Sequence, residues 1–326
     1  DTDGLNIVTK HAYLDFNVVK GLNLKLGLQA YKDSIGGILV DADLPAIVAT
    51  TKLGGIDTVV GFSRYLDKYP TVSGTAGTVD SVVLGDVTGN LSFVDFNYTI
   101  DKNTSVGASY YLQSEEAMNA NTGATVKKTV HTVGINAKTS IKDVAINGFV
   151  AMQNGQKNTI SSTAETDYTG YAANLQASTK IASGLAKLGY LFVSGDTKSD
   201  TSKDSQWQTL GTTGSTFNDG GMMLMVRNNK FYPTSTSFAL KGNTVSNIEL
   251  AYAGYVAPIT DKLSASVNLG LGWDNTDVGT QEGRKGAFIG TEVNAEVAYK
   301  LYKELTVFAQ AGYISLGSQY DAYKDP

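Results

Sequence analysis

Apolar and polar residues alternate one by one through segments of about ten residues, and this period-two pattern constrains the chain more than any other feature. In residues 22–31, Leu22, Leu24, Leu26, Leu28 and Ala30 fall on one face, and Asn23, Lys25, Gly27, Gln29 and Tyr31 on the other. Residues 262–273 set Leu263, Ala265, Val267, Leu269, Leu271 and Trp273 against Ser264, Ser266, Asn268, Gly270 and Gly272. Residues 304–313 repeat the pattern with Leu305, Val307, Ala309, Ala311 and Tyr313 on the apolar side. A helix would scatter these apolar residues around its circumference, whereas a strand gathers them on one side.

Followed through the sequence, the alternation predicts about fourteen strands. Their cores lie near residues 7–18, 22–31, 46–53, 58–66, 91–100, 104–113, 129–139, 144–153, 168–179, 185–194, 246–257, 262–273, 287–301 and 304–315. Short connections such as Lys20-Gly21, Asp101-Lys102-Asn103 and Tyr302-Lys303 alternate with long polar ones at 32–45, 67–90, 114–128, 154–167, 195–245 and 274–286. Such an order is an up-and-down meander with one plain rim and one elaborated rim. The reading is therefore all-β: one domain over residues 1–326, a transmembrane antiparallel β-barrel with short periplasmic turns and long extracellular loops. Aromatics assigned to the apolar face (Phe16, Tyr98, Tyr110, Tyr190, Phe192, Tyr252, Trp273, Tyr299 and Tyr313) suit the two membrane interfaces.

Composition agrees. Of 326 residues, 42% are hydrophobic and 17% charged, split between two strand faces, so no run approaches the roughly 18 apolar residues of a spanning helix. The chain has no cysteine, which removes disulfides, thiolate metal sites and thiol nucleophiles. A net charge of −5 with arginine only at Arg64, Arg227 and Arg284 leaves no basic surface for nucleic acid. No signal-peptide pattern opens at Asp1, so an outer-membrane location presupposes that the signal was removed or lies outside this sequence. The order of short and long connections puts both ends on the long-loop rim. A complete barrel is then expected to hold about sixteen strands, within 14–18, with at least one beyond each end. Alternatively, residues 195–245 conceal a further hairpin.

The stretch Lys10-His11-Ala12-Tyr13-Leu14-Asp15-Phe16, followed by Leu24-Lys25-Leu26-Gly27-Leu28-Gln29, resembles the opening of alginate-export-like outer-membrane barrels. Residues 259–266 and 290–297 resemble the C-terminal half of uncharacterised porin-like proteins of Gram-negative bacteria. The resemblance covers most of the chain through generic strand patterns and implies a single-chain barrel that passes solutes. Alginate exporters line their pore with arginine, and the three arginines here depart from that. The expected function is passive diffusion of small polar solutes or ions, not polysaccharide export. The alternative class is a structural or adhesive surface barrel that scaffolds a partner.

Candidate pore-lining charges are Lys25, Lys52, Lys138 and Lys187 on polar faces of earlier strands, with Glu249, Glu292, Glu296 and Lys300 on late ones. Rings of such charges set ion preference in wide pores. The long segment 195–245 is the candidate constriction loop, carrying Trp207, Met223, Arg227, Lys230 and Tyr232; an outer cap or a subunit contact is its other reading. The loop acids Asp33, Asp41, Asp43, Asp196, Asp200 and Asp204 read as solvated charge rather than a calcium site, because EF-hand spacing is lacking. His11 reads as a lumen hydrogen-bonding residue and His131 lies near a strand start. Neither has Ser and Asp companions at a catalytic spacing. No enzyme activity, cofactor or metal is expected. The expected partners are the lipid bilayer, lipopolysaccharide and small solutes or ions, with a homotrimer the usual assembly of sixteen-stranded porins.

Overall fold

The computed structural model describes residues 9–68, 87–118, 125–159, 165–196, 200–210, 214–228, 240, 244–276 and 286–323. Its strands are β1 (Ala12–Val19), β2 (Leu22–Lys32), β3 (Asp41–Leu53), β4 (Ile56–Lys68), β5 (Val87–Thr99), β6 (Ser105–Met118), β7 (Thr125–Ile141) and β8 (Val144–Thr159). They continue as β9 (Glu165–Tyr168), β10 (Tyr171–Ile181), β11 (Gly184–Val193), β12 (Lys203–Asp204), β13 (Ile248–Pro258), β14 (Leu263–Trp273), β15 (Phe288–Tyr302) and β16 (Leu305–Leu316). Each of the fourteen expected strands is present, with shifted ends. All belong to one sheet that runs from β1 to β16 in chain order, antiparallel throughout. The two exceptions, β9 and β12, are short and pair parallel with each other beside β8 on the long-loop rim.

Tight turns fix the register. Gly54 and Gly55, at φ 56° and 89°, form a two-residue turn whose twist matches the strands that it joins. Register matters because a slip of one residue would exchange the two faces completely. Along the outer face lie Leu14, Ile47, Val60, Val133, Ile135, Val150, Leu175, Leu188, Val267 and Val293, all exposed, as a lipid-facing wall requires. Tyr98 and Tyr299 stand on this face near the short turns, and Tyr171, Tyr190, Trp273 and Tyr313 toward the loops. Two levels of amphipathic rings result, one for each interface.

The core lies inside the curl of the sheet rather than between two layers. Wall residues Leu91, Phe93, Tyr111, Phe149, Leu191, Leu250 and Tyr252 join loop residues Ile35, Ile38, Leu39, Trp207, Phe217, Met222 and Met225 in one buried cluster. The described part of 195–245 holds no spanning hairpin. Its only strand is the two-residue β12, and Trp207, Leu210, Phe217, Met222, Met225 and Val226 turn inward. Strand lengths are uneven: β6, β7 and β8 have 14, 17 and 16 residues, against 11 in β10 and 10 in β11.

The opposite faces make a direct prediction. Leu175, 63% exposed on the outer wall, should cost about 2–4 kcal/mol of folding stability in vesicles as Leu175→Lys. Gln176→Lys, on the inner face, should cost about 1 kcal/mol, the worth of its bond from the Tyr252 hydroxyl. Denaturant unfolding in lipid measures both, and equal costs would reject the assignment of faces.

Candidate functional site: the narrowed lumen

Two segments enter the barrel and pack on each other. The first, residues 33–40, leaves β2 and reaches the far wall. A side chain on Gly36 would run into Phe149 of β8, and one on Gly134 of β7 would meet Ile35. The second, residues 205–210 and 214–228, is joined to the first where the Trp207 indole N–H donates to the Ile38 carbonyl at 3.1 Å and the Thr216 N–H to the Gly37 carbonyl at 2.9 Å. Burying each large apolar side chain of this plug contributes about 1.5–3 kcal/mol. Inner-wall carboxamides hold its edge: Gln113 donates to the Thr209 carbonyl at 3.0 Å, and Gln153 donates to the Gln208 carbonyl at 2.8 Å while accepting the Gln208 N–H at 2.7 Å.

Each segment folds around a carboxylate. Asp33 accepts the backbone N–H groups of Ile35, Gly37, Leu39 and Val40 at 2.7–2.9 Å. Glu292, on the inner face of β15 and 0% exposed, accepts those of Met223, Leu224 and Met225 at 2.5, 3.1 and 2.8 Å. Gly270 and Gly272 of β14 make room here, because a side chain at either would collide with the sulfur of Met222 or Met225. Burial pushes the Asp33 carboxyl up to about 6, opposed by its four N–H donors. Burial also lowers the Arg227 guanidinium from its ordinary value, and Asp41 nearby opposes the shift. Asp41 ties the two segments together, accepting from the Thr216 hydroxyl at 2.6 Å and from Asn218 at 3.3 Å.

Most of the expected pore-lining residues do face inward, with distinct fates. Lys25 sits over the Tyr13 ring at 4.0 Å. Lys138 lies in register with Asn147, and Lys187 donates to the Asp219 carbonyl at 2.5 Å. Glu296 accepts from Gln310 at 2.6 Å, in register with it across β15 and β16. Lys52 and Lys300 sit at the short-turn ends of their strands, where Lys52 pairs with Asp57 at 3.0 Å. Glu292 is an anchor for the plug rather than a charge presented to water. Of the expected constriction residues, Trp207, Met223 and Arg227 lie in the inward segment, and Lys230 and Tyr232 fall outside the described residues.

Three expectations are corrected. Glu249 faces outward: it shares a face with Phe192 and Trp273 and accepts the Tyr190 hydroxyl at 2.6 Å. Tyr252, expected on the outer wall, is buried in the lumen against Phe217. Both errors have one cause. On β13 the apolar residues Ile248, Leu250 and Tyr252 point inward to meet the plug, so polar-in and apolar-out are reversed there. Asp33, read as solvated, is 3% exposed. Segment 33–40 lies within the polar connection expected at 32–45, yet the run Asp33-Ser34-Ile35-Gly36-Gly37-Ile38-Leu39-Val40 carries a signal of its own, an acid followed by a Gly pair within apolar residues. His11 pairs with Asp43 at 2.8 Å, and His131, on the outer face, bonds the Tyr110 hydroxyl at 2.7 Å.

An antiparallel meander with an apolar exterior, a polar inner wall and loops folded into the lumen defines a porin-type transmembrane β-barrel. No family model matches the sequence, and no curated protein does. Solved structures do match in fold. Pseudomonas aeruginosa OccK11 (OpdR) aligns at TM-score 0.53 and 13% identity over 92% of this chain and 73% of its own. Pseudomonas aeruginosa OpdK with vanillate gives 0.53 and 14% over 94% and 74%. Pseudomonas aeruginosa OprD gives 0.50 and 14% over 92% and 73%. The fold is thus that of Gram-negative outer-membrane porins.

Two outcomes test the anchors. Glu292→Ala strands three buried N–H donors at about 1–3 kcal/mol each, so protease cleavage within 214–228 should accelerate at least tenfold in the folded protein. Unchanged cleavage would remove Glu292 from that role. For Asp33, the folded carboxyl titrates near 6 and the unfolded one near 3.8. Its favourable contribution to stability is complete below 3.8 and is lost as pH rises through 6. Asp33→Asn should flatten the pH dependence of the unfolding midpoint across that window.

Proposed function

We propose that this chain forms a water-filled channel for passive diffusion of small polar solutes or ions across the outer membrane, and that it performs no chemistry. One observation carries the reading: the inner wall is polar where it borders the plug and the short-turn rim, with Lys25, Lys138, Lys187 and Glu296 on it. Lys138 is exposed and Lys25 and Glu296 are half-buried, so charge on this wall meets water. The plug sets the size limit and the wall charges set the preference, as interior charges do in wide pores. The bilayer and the lipopolysaccharide leaflet are the expected surroundings of its outer face.

A second reading, a scaffold barrel without transport, draws support from the packing of the lumen centre, where Trp207, Leu210, Phe217 and Met222 are fully buried. Conductance separates the two. The purified protein should give current steps of stable size in planar bilayers, and deletion of residues 218–227 should enlarge them. Silence from inserted protein would favour the scaffold. Steps unaltered by the deletion would remove the plug from the permeation path.

A further inference from the structure

Beneath the plug, toward the short-turn rim, a cavity of about 300 Å³ lies between the inner wall and the underside of the second segment. The wall supplies Lys187 from β11 and Ser266 and Asn268 from β14. The plug supplies Asn218 and Asn228, at and beyond a turn closed by the Gly221 N–H donating to the Asn218 carbonyl at 3.1 Å. Its size is at the lower end of small-molecule sites, which run from about 300 to 1,000 Å³.

We propose that this cavity is a binding subsite for a neutral, polyhydroxylated solute of monosaccharide size. The proposal rests on the channel reading above and names the solute class of that channel. Carboxamides dominate the polar lining, and a carboxamide both donates and accepts, as a sugar hydroxyl does, whereas a carboxylate only accepts. The orientation of Asn268 is fixed by its neighbour: its Nδ2 donates to Asn294 Oδ1 at 2.9 Å. Its Oδ1 therefore turns toward Gly221 and Gly254, both of which line the cavity, and a side chain on either glycine would meet that oxygen. An acceptor held at the cavity surface favours a ligand with hydroxyl donors and repels a carboxylate. The Lys187 ammonium, the lining cation, is aimed at the Asp219 carbonyl of the plug, where it holds the cavity roof. The two glycines, Gly221 in the roof and Gly254 on the wall, matter for the same reason, since they leave the cavity open and the Asn268 amide unrotated.

The test uses the full chain in planar bilayers, with D-glucose and vanillate as probes. Glucose should reduce the ion current saturably, and equimolar vanillate should not. Asn268→Leu should raise the half-saturating glucose concentration about tenfold, the size of one or two lost hydrogen bonds. If that variant does not insert, Gly254→Ala, which pushes a methyl group at Asn268 Oδ1 and Lys187, should raise it similarly. Reduction by vanillate but not glucose would reassign the cavity to anions and overturn the proposal. A conducting channel indifferent to glucose, or variants that leave the half-saturating concentration unchanged, would remove the subsite while leaving the channel. Inserted protein that passes no current would overturn the channel reading and this subsite with it.

Discussion

A carboxylate that collects backbone N–H groups is the interaction on which the interior of this barrel depends. A loop that turns away from water into a lumen brings its peptide groups along, and buried peptide donors without acceptors are costly. A sheet satisfies them with a ladder, which an irregular segment lacks. Asp33 and Glu292 take the place of that ladder, four donors on one and three on the other. One carboxylate belongs to the loop that it folds and the other to the wall, so the first segment is organised from within and the second is clamped from outside.

Once the backbone of the plug is satisfied, its side chains act as a small core. Trp207, Phe217, Met222 and Met225 pack against wall residues that in most barrels of this kind would face water. The wall answers with apolar residues on β13 and glycines on β14. The lumen is consequently divided along its circumference as well as along its axis. On the β13–β14 side the plug meets Ile248, Leu250 and Tyr252, and on the β5–β7 side the packing of Leu91 and Phe93 is joined by a polar network, in which Asp95 accepts from the Tyr111 hydroxyl at 2.6 Å and Glu115 from that of Tyr65 at 2.6 Å.

Much of this was legible in the sequence, and the exceptions share an explanation. Alternation gave each of the fourteen spanning strands, because lipid on one side and polar lumen on the other write a period of two into the chain. It also put Lys25, Lys138, Lys187 and Glu296 on the correct face. It failed at Glu249 and Tyr252 because a binary pattern reports that a face is apolar without reporting what apolar partner it meets. Lipid and plug look the same to Leu250. The run from Asp33 to Val40 shows locally that segment 33–40 folds on itself, but its place in the lumen is set by residues far along the chain, such as Trp207 and Phe149, that no local pattern reveals. The second segment stands out in the sequence by its length, but its attachment to Glu292 depends on tertiary register alone.

The uneven strand lengths shape how anything approaches this lumen. The spanning strands are joined in pairs by the short turns, so the extra residues of β6, β7 and β8 stand up on the other side. Six residues amount to about 20 Å along a strand. The strand rim is therefore oblique, high along one arc and low along β10, β11, β13 and β14. Along the high arc a molecule diffusing in meets strand long before it meets the plug, and along the low arc the sheet itself ends nearer the plug.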